Sequence, residues 1–291
     1  GLGTTMNPYF PEMYRRPATG VGGSLLAAEL LLDGGVVFHP GGGTHHGLPD
    51  RASGFCYLND CVMAILALQR LGVGRIAYID IAAHHPDGVA LAFREDPSVL
   101  LLSVHEAGRW PRTGAVGDRG PGTHFNLPVR AGLNDTEMAF ILENLARPVV
   151  EDFRPEAIVL QCGADALAGD PQSRQVLTTE AYLGWVRAFL RWAPRTLILG
   201  GGGYYPWTVG RLWTAIWGVA SGQEVPARLP EAAQAVLAGL TWERPGQAGP
   251  RPLTPDAAWV TTLIDAPQPG PLRPELREDV ARLTARLRAW A

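Results

Sequence analysis

Five short apolar runs, at residues 36–39, 75–80, 99–105, 157–161 and 196–199, carry no polar alternation, and helical patterns at 59–71, 135–153, 179–192 and 206–220 lie between several of them. A strand buried on one face alternates apolar with polar residues, whereas a run without alternation has both faces covered. Such runs separated by helices predict an α/β three-layer sandwich with a mostly parallel central sheet. In that architecture the carboxyl ends of the strands share one edge, and the loops leaving that edge are where a site is built.

The chain has 291 residues, 46% of them apolar, enough for one large α/β domain. We read residues 1–291 as a single domain. From 225 onward Pro and Gly cluster at 245–255 and 266–274, and residues 275–290 read as a final amphipathic helix packing on the domain. A formal charge of −3 gives no basic footprint for nucleic acid. The longest apolar runs, such as residues 62–68, are too short to span a bilayer, and no charged and apolar leader opens the chain. Three cysteines without a Cys-x-x-Cys pair argue against a disulfide framework or a cysteine zinc finger. The expectation is a cytoplasmic protein with neither membrane nor nucleic-acid partner. All 25 basic residues are arginine, which we read as the mark of a GC-rich genome.

The polar residues of interest sit where the runs end. The run at 36–39 leads into Pro-Gly-Gly-Gly-Thr-His45-His46, and that at 75–80 into Asp80-Ile-Ala-Ala-His84-His85-Pro-Asp87-Gly. The run at 157–161 leads into Cys-Gly-Ala-Asp165, and the last into four glycines and Tyr204. Singly, each has a plain reading as a tight turn, a solvated histidine or a helix cap. Together they place five of the seven histidines (His39, His45, His46, His84 and His85) and three carboxylates at strand ends that a parallel sheet gathers. Imidazole and carboxylate around one pocket suit zinc-assisted hydrolysis, with a histidine as general base, a carboxylate behind it, and a phenol for the oxyanion. A Gly-x-Ser-x-Gly elbow, a His-Glu-x-x-His pair, a Walker loop and a dinucleotide fingerprint are all absent.

At these residues the chain resembles the histone deacetylase family, including its bacterial acetoin-utilisation and acetylpolyamine-amidohydrolase members. The stretches are residues 40–46, 52–60, 78–88, 103–105, 161–165 and 200–204, in the family's order over roughly 1–220. The resemblance implies an arginase/deacetylase-like fold and a zinc-dependent deacetylase acting on an acetylated lysine peptide or an acetylated polyamine or other small amine. It implies that His45 and His46 are the paired catalytic histidines, buffered by Asp80 and Asp87, with His45 deprotonating water and His46 protonating the leaving amine. His84 and Asp165 fall on zinc-ligand positions, and Tyr204 on the residue that polarises the substrate carbonyl. Gly54, Phe55, Trp110, Gln172 and Gly202 would line the substrate tunnel. Asp80 and Ser103, with the carbonyls of Ala82 and His84, match a structural potassium site, and a second lies near Phe93, Asp96 and Val99.

Two positions depart from the pattern. Where the family has a third zinc ligand, an Asp, this chain has Ala82. A methyl cannot coordinate zinc, and because the other catalytic positions are intact, an enzyme inactivated at that ligand is favoured over a naturally non-catalytic, acyl-amine-binding or regulatory homologue. A two-manganese ureohydrolase-like site needs more bridging carboxylates than the chain offers. The second departure is the start, which resembles a point already inside the family domain, so its N-terminal part is expected to be missing. Gln172 stands where many lysine deacetylases carry an apolar rim residue and Met6 near an acidic rim position, hints of a small acetylated amine.

Overall fold

The computed structural model describes residues 1–241 and 256–287. Six strands form one sheet: β1 (Gly35–His39), β2 (Ile76–Asp80), β3 (Val99–Glu106), β4 (His124–Val129), β5 (Ala157–Gln161) and β6 (Arg195–Leu199). Their order is β1-β6-β5-β2-β3-β4 and every neighbouring pair is parallel. All residues of β2, β3 and β5 are buried, as their unbroken apolar character demands. The chain runs outward from β2 to β4, then returns to place β5 on the other side of β2. The sheet therefore reverses direction between β2 and β5, and at such a reversal the loops splay apart to leave a crevice. Asp80 and Gln161, the last residues of these two strands, are register partners.

Helices cover both faces. On one face α1 (Arg15–Leu30), α2 (Asp60–Arg70) and α3 (Asp87–Ala92) bury Ala28, Ile65, Leu68 and Val89 against Ile76, Tyr78 and Leu101. On the other, α4 (Asp135–Ile141), α5 (Arg147–Phe153), α6 (Thr179–Phe189) and α7 (Pro206–Ala220) pack on Ile79, Leu102 and Leu160. Two short helices, α8 (Glu231–Ala238) and α9 (Ala257–Thr261), precede α10 (Pro274–Thr284), which buries Leu276, Val280 and Leu283 in this second core. Asn59, Asn134 and Thr178 begin α2, α4 and α6 by accepting the N–H three residues on. Among the described residues no helix is long and apolar enough to cross a membrane.

Several elements differ from the pattern reading. The helix expected over 135–153 contains a π turn at Leu142–Ala146, where Pro148 has no N–H to return to Asn144. The final helix ends at Thr284 rather than 290; residues 288–291 and the Pro-rich stretch 245–255 lie outside the described residues. Strand β4 was masked by Asn126 and Pro128, and Pro128 is tolerated because β4 is an edge strand. Helix α1 was masked by Pro17 and three glycines. One of them, Gly23, lies so close to the His39 ring that a Cβ would sit 2.5 Å from it.

Candidate active site

The loop after β1 is held by one carboxylate. Asp60, the first residue of α2, accepts the backbone N–H groups of Gly43 at 3.0 Å and Thr44 at 2.7 Å. It also accepts the hydroxyls of Thr44 and Ser24. Asn59 donates to the carbonyls of His45 and Gly47. The two imidazoles that follow are thereby fixed, their ring centroids 4.0 Å apart.

Each imidazole has a carboxylate behind it. His45 Nδ1 donates to Asp80 Oδ2 at 2.7 Å, and His46 Nδ1 to Asp87 Oδ1 at 2.7 Å. Asp80 is fully buried; it also accepts the Tyr78 hydroxyl at 2.7 Å and the Ala82 N–H at 3.1 Å. The neighbouring histidines are driven in opposite directions. Burial opposes charge on His45, but the Asp80 carboxylate, with Asp165 and Asp87 farther off, outweighs it and raises its pKa. Burial, and repulsion from the neighbouring imidazoles of His45, His84 and His85, hold His46 well below its ordinary value. The two rings are thus set apart by the number and nearness of the carboxylates around them. Burial pushes Asp87 up to about 6.

Facing this pair, His84 and Asp165 leave the ends of β2 and β5. Asp165 Oδ1 accepts the Ala83 N–H at 2.8 Å and Oδ2 lies 3.1 Å from His84 Nδ1. Gly202 lies against Asp165, where a Cβ would meet the carboxylate at 2.2 Å. The same Cβ would lie 3.5 Å from the Tyr204 ring, and Gly202 is not among the residues lining the tunnel described below. The Ala82 methyl is fully buried and points at Gly163, beside Asp165. Among the described residues no group of three or more His, Cys, Asp or Glu could hold a metal ion. Zinc in a hydrolytic site takes three protein ligands and leaves a position open. His84 and Asp165 alone do not meet that requirement, and the residues present do not fit the zinc site that the resemblance implies.

A narrow tunnel of about 190 Å³ reaches this point, lined by Met6, His46, Phe55, Trp110, Gln172 and Tyr204, with Gly54 and His84. Gly54 (φ 54°) and Phe55 (φ 64°) are both left-handed. A Cβ on Gly54 would lie 2.3 Å from the Trp110 ring. Asn7, which sequence reasoning missed, holds this turn by accepting the Phe55 N–H at 3.0 Å while donating to the carbonyls of Gly1 and Ala52. Tyr182 was also missed. Its hydroxyl bonds the carbonyls of Ile81 and Gly163, tying the exits of β2 and β5 together. No local signal marks either residue, since their partners are distant in sequence.

Two of the five strand-end histidines do other work. His39 bonds the carbonyl of Gly20, and His85 bonds Thr113 and Asn126 with its pKa lowered to about 4 by burial. Asp80 and Ser103 are register partners on β2 and β3, both fully buried, offering the oxygen donors a hard cation takes. Ser103 Oγ lies 2.9 Å from His105 Nδ1. At the second potassium position Asp96 is already engaged by Ser98 and Gln69.

Residues 2–220 match the histone deacetylase domain. The chain is 40% identical over 232 residues to histone deacetylase 8 of Xenopus laevis, covering 77% of this chain and 71% of that one. It is 37% identical over 244 residues to the acetoin utilization protein AcuC of Bacillus subtilis (strain 168), covering 78% and 63%. The crystal structure of a histone deacetylase homologue from Aquifex aeolicus superimposes with a TM-score of 0.89 at 34% identity, over 97% of this chain and 77% of that one. The same score and identity hold for a homologue complexed with SAHA.

Proposed function

Because this chain belongs to the histone deacetylase family, we propose that it carries a deacetylase-type site for an acetylated lysine or acetylated small amine. In this reading hydrolysis is disabled at Ala82 while the acyl-amine pocket is kept. The observation that carries it is the buried Ala82 methyl beside Asp165 and His84, which bond to each other. The rest of the pocket supports binding. Phe55 and Trp110 offer the tunnel aromatic walls, and Tyr204 lines it with a phenol able to donate to an amide carbonyl. A potassium ion held by Asp80 and Ser103 and a cytoplasmic location complete the reading. The three free, buried cysteines suit a reducing compartment.

The test is zinc stoichiometry and amide hydrolysis, using an acetyl-lysine peptide and an acetylated polyamine, for this chain and for Ala82→Asp. We expect one equivalent of zinc and turnover only in the variant. Zinc-dependent hydrolysis by the chain with Ala82 in place would overturn the proposal. The same alanine also favours a second reading, a non-catalytic acyl-amine-binding or regulatory homologue. Zinc uptake by the variant without turnover would select that one.

A further inference from the structure

A second, larger cavity of about 610 Å³ is lined by the sequence neighbours of residues that line the tunnel. Trp110 lines the tunnel and Arg109 the outer cavity; Gln172 lines the tunnel while Pro171 and Ser173 on either side of it line the outer cavity. Tyr204 and Tyr205 divide in the same way. Successive Cα atoms are about 3.8 Å apart, so the two cavities lie side by side. Asp170 holds the partition together, accepting the N–H groups of Tyr204 at 2.7 Å and Gln172 at 2.8 Å.

The cavity is cationic. Arg109 and Arg174 both line it. The buried Glu106 takes one Arg109 nitrogen at 2.8 Å, but from Arg174 it takes only the backbone N–H. Arg109 Nε is buried without a hydrogen-bond partner, and the exposed Arg174 guanidinium has no ion pair among the described residues. Asp170, the one acidic residue among the lining residues, spends both oxygens on backbone donors, and burial pushes its carboxyl up to about 7. Tyr205 and Trp259, edge to face at 5.0 Å, supply an apolar wall that strengthens charge interactions beside it.

We infer that this cavity is an anion subsite at the tunnel mouth, taking a carboxylate carried on the distal end of the acylated amine through Arg109 and Arg174. The inference rests on the acyl-amine reading and narrows it. An acyl-lysine with its own carboxylate free, or with an acidic neighbour in a peptide, meets two guanidiniums able to bond it. The distal ammonium of an acetylated polyamine meets the same charges as repulsion.

Binding to this chain, which needs no turnover, tests it by calorimetry. The probes are Nα,Nε-diacetyl-lysine, its uncharged carboxamide, and acetylputrescine. The carboxylate is expected to bind about fivefold tighter than the carboxamide, as one partly exposed ion pair allows, with the ammonium weakest. Arg174→Gln brings the carboxylate-to-carboxamide ratio near one, and Arg174→Lys restores part of it. Raising salt from about 0.05 to about 0.5 M shrinks the ratio in the parent chain without any substitution. Amidated acetyl-lysine peptides with Asp or Ser next to the acetyl-lysine tell a neighbouring acid from a free terminus. Equal affinity for carboxylate and carboxamide in the parent chain, or a ratio untouched by Arg174→Gln, overturns the subsite and leaves the acyl-amine reading standing. Failure of all three probes to bind removes that reading and the subsite together.

Discussion

The two walls of the candidate site are built from the same strand ends, yet the proposed reading makes one complete and leaves the other short of a ligand. On the histidine wall, Asp80 serves three protein donors at once: Tyr78, His45 and the Ala82 N–H. On the ligand wall, the methyl at 82 leaves neither His84 nor Asp165 with a buried atom lacking a partner, because the two close on each other. The difference teaches that a residue whose partners are protein atoms belongs to folding as well as chemistry, whereas one whose partner is a metal can be lost without cost to the fold. A buried polar group stranded without its partner costs about 1–3 kcal/mol, while one replaced by a methyl in a closed site costs little.

The largest effect should come from completing the weaker wall. Ala82→Asp is expected to raise zinc-dependent amide hydrolysis by at least about 10³-fold. Without metal, the added carboxylate beside Asp165 should lower stability by about 1–3 kcal/mol. Thermal unfolding with and without zinc reads that loss and its recovery. If metal-free Ala82→Asp is as stable as the parent, the ligand wall tolerates charge and the comparison fails.

Next in size is the contrast between carboxylates. Asp80→Ala strands three buried donors and is expected to cost about 3–5 kcal/mol, against about 2 kcal/mol for Asp165→Ala, which strands two. Urea midpoints at constant slope measure both. An equal or reversed order would mean that the histidine wall carries no more of the fold than the ligand wall.

A last contrast concerns Asp170, in the partition between tunnel and outer cavity. Burial first, and the Asp165 charge second, lift its pKa from 3.8 to about 7. A folded pKa above the unfolded one means that the contribution is fully present below pH 3.8 and is lost as pH rises through about 7. Across that window the urea midpoint of the parent should fall with pH more steeply than that of Asp170→Asn. Parallel curves would show that Asp170 ionises normally in the fold.

The parallel sheet was legible because the runs that became β2, β3 and β5 are apolar on both faces, a pattern few other arrangements can bury. The chemistry-bearing residues were legible because they follow those runs in long, ordered motifs. Elements whose character depends on a distant neighbour were not. Helix α1 carries turn-forming residues, but its glycine at 23 makes room for His39, and Ser24 bonds Asp60. The anchors Asn7 and Tyr182 and the cationic cavity were invisible for the same reason, since their partners lie far away along the chain.

The amino-acid sequence by itself determined which side chains can do chemistry here, and that residue 82 between Asp80 and His84 is an alanine, because residue type and strand-end position are local properties. Only the tertiary structure decided that His45, His46 and His84 share a site while His39 and His85 brace loops. It also decided that the pKa values of His45 and His46 shift in opposite directions, and that Arg109 and Arg174 face one cavity. Burial and the sum of neighbouring charges set these outcomes, and both exist only once distant segments have packed together.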